Sequence, residues 1–129
     1  LVGKRLDEAT SLVSPDPLEL LELAVALDAA GDPERAATAR GQAAELLAGS
    51  PGMSERETAA LLRSERAPEV SEVERLDLSR DFQAVLMLAL AGAHPGTAGP
   101  LVDAAERRLG GARFPYPFLR LAANQLGRR

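Results

Sequence analysis

Apolar residues recur in this sequence at three- and four-residue steps, in short segments that proline or glycine cuts off. That rhythm is the signature of amphipathic helices, and it leaves little room for any other architecture. Val2, Leu6, Ala9 and Val13 form a first stripe, which Ser14-Pro15-Asp16-Pro17 ends. Asp16 can cap the next helix, and Pro17 suits its first turn, where a missing N–H costs nothing. The second segment runs to about Ala30 and carries Leu20, Leu23, Ala24 and Leu27 on one face. Gly31 closes it, and Asp32-Pro33 repeats the start signal. A third segment carries Ala36, Ala39, Ala43 and Leu47 and ends at Gly49.

The remaining segments follow the same logic. Ser54 with Glu57, and Ser71 with Glu74, have capping-box spacing and predict short helices near 55–66 and from about 72, with Pro68 between them. Phe82, Val85, Leu86 and Ala89 mark a helix from Ser79 to the turn region Gly92–Gly99. Another spans Pro100 to Leu109 and is followed by Gly110-Gly111; a terminal helix over 117–127 carries Phe118, Leu121, Ala122 and Leu126. Roughly seven or eight helices result, joined by short connections that favour antiparallel neighbours. The expected fold is all-α in a single domain of 129 residues, with helical hairpins over about 17–49, 54–78 and 79–110.

Composition supports this and removes most chemistry. Ala and Leu fill about a third of the positions, Ile is absent and Val is scarce, so the β-branched residues a sheet needs are missing. The chain has no cysteine and one histidine. A disulfide scaffold, a thiolate metal site and a cysteine nucleophile are excluded together. His94 stands in a turn, His94-Pro95-Gly96, without carboxylates at helical spacing that would make a metal set. Gly92, Gly96 and Gly99 precede a helix but lack the Lys and Ser/Thr of a phosphate loop. Ser50 lacks nucleophile-elbow spacing, and the single lysine, Lys4, leaves no Ser-x-x-Lys pair. Glu19 and Glu22, one turn apart, alternate with the leucine stripe and are expected on the solvated face. No catalytic residue, cofactor or metal is expected.

Segment 17–51 resembles a tetratricopeptide repeat, a helix–turn–helix of about 34 residues. The likeness rests on Leu20, Leu23, Ala24 and Leu27, the Gly31-Asp32 turn, and Ala36 and Ala43; Arg40 stands where the pattern has a large apolar residue. A second match places Phe82, Val85 and Ala89 in a first helix and Ala98, Val102 and Ala105 in a second, with Leu86 at the small position. Segment 53–78 does not fit the pattern. The expected architecture is a short tetratricopeptide-like array of stacked hairpins, or else an irregular helical bundle. The resemblance implies binding of a protein or peptide partner. Family members that clamp a C-terminal carboxylate use Lys, Arg or Asn, whereas Glu19, Glu22 and Asp28 stand here, so a basic or apolar ligand is expected.

Charge refines this reading. Fifteen basic residues face nineteen carboxylates, giving −4, and all the basic residues but Lys4 are arginine. The arginine bias accompanies Ala, Gly and Pro, whose codons are GC-rich, and so reflects high-GC bacterial composition. Positions 101–129 are basic while the preceding hundred residues are acidic. The acidic chain and the lack of a recognition motif argue against nucleic acid. Phe114-Pro115-Tyr116-Pro117-Phe118 gathers three of the four aromatics, a preordered set suited to docking. The candidate partner-binding residues are therefore Phe114, Tyr116, Phe118, Arg107, Arg108 and Arg120. The start, Leu1 to Arg5, has no apolar signal region. The longest apolar run, Ala84–Ala93, is about half a membrane span. A soluble cytoplasmic protein without membrane contact is expected, and homodimerisation through an apolar end-face is compatible with it. The first residue is Leu1 rather than Met, which motivates an alternative: a helical regulatory segment of a larger signalling or transcription protein.

Overall fold

The computed structural model of the protein describes residues 16–109. These form α1 (Pro17–Ala29), α2 (Pro33–Ala48), α3 (Met53–Arg63), α4 (Val70–Glu74), α5 (Arg80–Ala93), a 3-10 turn (Pro95–Thr97) and α6 (Gly99–Leu109). The fold of the described residues is all-α, without a strand, and no described helix is long and apolar enough to cross a membrane.

Local chemistry sets the helix starts. The Asp16 carboxylate accepts from the Leu18 N–H at 3.0 Å, Asp32 from Arg35 N–H at 3.3 Å, and the Ser79 hydroxyl from Phe82 N–H at 3.1 Å. Each satisfies an amide that the first helical turn leaves without a partner. The α1–α2 turn closes as a Schellman motif: Asp32 N–H donates to Leu27 O at 2.9 Å and Gly31 N–H to Asp28 O at 3.1 Å. That motif requires a left-handed residue, and Gly31 has φ +86°.

The two expected capping boxes are not the ones used. Helix α3 starts at Met53 from an N-cap at Gly52, so Ser54 lies inside the first turn. Its hydroxyl instead accepts from the Asp77 N–H at 3.2 Å, tying α3 to the segment after α4. Helix α4 is capped by Glu69 with Glu72, two residues before the expected Ser71–Glu74 pair. Pro68, which lacks an N–H, sits just ahead of that cap.

Packing is organised around α5, in which every residue from Ala84 to Gly92 is buried. A helix apolar all round belongs inside a bundle, and the ten-residue apolar run is this central helix. It packs against α6 on one side and α1 on the other, with α4 across it. The main cluster joins Leu21 and Val25 of α1, Val73 of α4, Val85 to Leu90 of α5, and Leu101, Val102 and Ala105 of α6. Each fully buried Leu, Val or Met contributes about 1.5–3 kcal/mol. A smaller cluster of Ala24, Ala36 and Ala39, with Leu27 against it, lets α1 and α2 approach closely.

Two differences from the expected arrangement matter for the surface. In segment 54–78, α3 packs mainly on α2, and α4 on α5 and α6, rather than on one another. In α1 the buried face is Leu20, Leu21, Ala24, Val25 and Asp28, so Leu23 is turned outward. The helix has two possible apolar stripes, and α5 covers the one containing Leu21 and Val25. The terminal helix 117–127 lies outside the described residues.

Candidate partner-binding surface

The outward turn of α1 creates the candidate site. Leu23 and Leu27 of α1 and Arg35, Thr38, Ala39 and Gln42 of α2 line a groove of about 380 Å³ on the face of the hairpin. Leu23 is 49% exposed, and Leu46, one turn beyond Gln42, is 39% exposed. With Met53 they are the large apolar side chains that the described residues leave exposed, and of the three only Leu23 lines the groove. The Thr38 hydroxyl is already satisfied, donating to Glu34 O at 3.1 Å. Arg35 lies 3.9 Å from Asp32 and is largely solvated.

The same hairpin holds a buried ion pair. The Arg40 guanidinium donates to the Asp28 carboxylate at 2.5 Å, with the two side chains 11% and 0% exposed. Arg40 therefore departs from the repeat pattern for a structural reason: its partner is Asp28 on the facing helix. Asp28 also abuts Gly92, where an added Cβ would overlap its Oδ2. Of the three α1 carboxylates expected to meet a ligand, Asp28 is thus internal to the fold.

The other two are divided. Glu19 is solvated as expected, but Glu22 is half-buried, and its Oε1 has no hydrogen-bond partner among the described residues. Burial pushes its carboxyl above the usual range, with Glu19 and then Asp16 adding to the rise. Neither carboxylate lines the α1–α2 groove.

The remaining candidates separate by location. Arg107 is exposed on the last turn of α6. Arg108 is a clip: it donates to Ala104 O at 3.2 Å, Gln83 Oε1 at 3.4 Å and Glu74 Oε2 at 3.1 Å. Gln83 in turn donates to the Leu76 and Val73 carbonyls at 3.1 and 3.4 Å, closing the end of α4. This network of Glu74, Gln83 and Arg108 holds three helices, so Arg108 is engaged within the fold. Sequence reading missed Gln83, whose partners are seven or more positions away. Phe114, Tyr116, Phe118 and Arg120 lie outside the described residues. His94 caps the end of α5, and its backbone N–H donates to Leu90 O. Among the described residues no three His, Cys, Asp or Glu side chains are grouped to hold a metal.

Two further hollows lie on the surface. One of about 480 Å³ lies between Ala67–Ser71 and Pro100-Leu101, and one of about 310 Å³ between α3 and α4. Neither has exposed leucines beside it. Comparison with protein-family models, with curated proteins and with solved structures finds no match to this chain.

Proposed function

We propose that this chain is a non-catalytic protein- or peptide-binding module of tetratricopeptide-like type, and that it docks its partner on the α1–α2 groove. The observation that carries this reading is Leu23, left 49% exposed beside an apolar groove while the opposite face of α1 is packed into the core. The paired helices α1–α2 and α5–α6, the first with Ala24 and Ala36 buried in one cluster between them, support the family likeness. Docking surfaces gain affinity from a few apolar anchors ringed by polar groups, and Leu23, Leu27 and Leu46 supply such anchors.

Selection of a displayed library of random peptides against the chain tests this. Enriched peptides are expected, and Leu23→Asp should weaken them by at least about tenfold, equal to about 1.4 kcal/mol, while the melting temperature stays unchanged. Absence of enrichment, or binders indifferent to Leu23→Asp, overturns the proposal.

A further inference from the structure

We infer that the partner of the α1–α2 groove is a basic amphipathic helix, an inference that rests on the docking reading above. The groove runs between two antiparallel helices of 13 and 16 residues. Such a channel accepts the side-chain ridge of a third helix. A peptide that binds by strand addition needs a sheet edge, and none exists among the described residues. Leu23 and Leu27, one turn apart, match a partner stripe of apolar residues at three- to four-residue spacing.

The rim fixes the sign of the charge. Glu19 stands one turn before Leu23, Glu34 one turn before Thr38, and Glu45 beside Leu46. All three are exposed, and none has an ion-pair partner among the described residues. Arg35 is the one cation among the described lining residues, and Asp32 lies against it. The nearby Arg40 is withdrawn into the pair with Asp28 and contributes no surface charge. Lysine or arginine flanking the partner's apolar stripe would meet these carboxylates, whereas a second copy of this chain would bring the same acidic rim against itself. Complementary charge across an apolar seam gives specificity and speeds encounter.

Three labelled helix-forming peptides of about four turns, sharing one leucine stripe and bearing lysine, glutamine or glutamate at every other position, discriminate these outcomes by fluorescence anisotropy with the full chain. The lysine peptide should bind at least about tenfold tighter than the glutamate peptide, and its advantage should shrink toward about 1 M salt, where screening is nearly complete. Glu19→Lys combined with Glu45→Lys should remove most of that preference. Leu23→Asp should weaken the lysine peptide even though it adds a negative charge. Equal affinities, or tighter binding of the glutamate peptide, overturn the basic partner and leave the docking reading standing. Failure of all three peptides to bind overturns both. Lysine-peptide affinity untouched by Leu23→Asp overturns the groove as the site. A dimer in sedimentation that Leu23→Asp dissolves overturns it in favour of a second copy.

Discussion

The Arg40 guanidinium reaches across the α1–α2 hairpin to the fully buried Asp28 carboxylate, 2.5 Å away, and so unites two residues twelve positions apart. Asp28 also lies against Gly92 of the central helix, so one carboxylate touches three helices. Removing both charges from water is costly, and their attraction roughly offsets the cost. The gain is in register: only one pairing of α1 with α2 brings the two groups together. The groove above depends on that register, because it places Leu23 and Leu27 opposite Thr38, Ala39 and Gln42.

Arg40→Leu should therefore destabilise the chain strongly. It leaves a buried carboxylate whose charge the guanidinium no longer offsets, a loss of about 3–5 kcal/mol. Urea unfolding measures it. Combining it with Asp28→Asn should recover a large part of the loss, since the buried charge that Arg40 faced is gone. A single-variant cost comparable to that of an exposed ion pair would contradict the assignment.

Two glycine substitutions in helices should act in opposite directions. At Gly92 an added Cβ would overlap Asp28 Oδ2 and stand 2.7 Å from its Cγ. Arg40 holds that carboxylate, so it cannot simply swing away, and Gly92→Ala should cost about 1–3 kcal/mol as an overpacked core. Gly41 lies in α2 with nothing within 4 Å of the same position. There Gly41→Ala should add about 0.5–1 kcal/mol by helix propensity alone. Thermal melting of the two variants decides both.

Glu22 gives a pH dependence of defined sign. Its carboxyl is raised above the usual 4.5 by burial, Glu19 and Asp16, so the folded state holds that proton more firmly than the unfolded chain. The associated stability is fully present below the unfolded value and is lost as pH rises through the raised folded one. Glu22→Gln should therefore melt higher than the wild type at pH about 7, with the gap closing toward pH about 4 as wild-type Glu22 becomes protonated. The effect is modest, since solvent reaches part of the group. Parallel melting curves across that range would contradict it.

Features legible in the sequence depend on neighbours two to four positions apart. Asp16 and Asp32 start the helices they were expected to start, and Ser79 caps the helix expected to begin there, because each cap bond joins residues two or three apart. Gly31 closes α1 for the same local reason. The segment holding Ala84–Ala93 was legible as a helix with one apolar stripe, but its burial on all sides depends on the helices packed around it. Where two local solutions competed, spacing alone was insufficient: Glu69 with Glu72 supplies the box that Ser71 with Glu74 would also have satisfied, and Gly52 starts α3 ahead of Ser54.

The sequence by itself therefore determined an all-α chain, most of its helix boundaries, and the shortage of reactive groups that directs attention to surface shape. The tertiary structure alone decided which stripe of α1 is inside. Leu21 and Val25 are buried and Leu23 is not, because α5 packs on one side of α1 and no described element covers the other. It likewise decided that Arg40 and Arg108 serve the fold, through partners twelve and up to thirty-four positions away. Helical periodicity specifies which residues share a face; only the neighbouring helices specify which face loses its water.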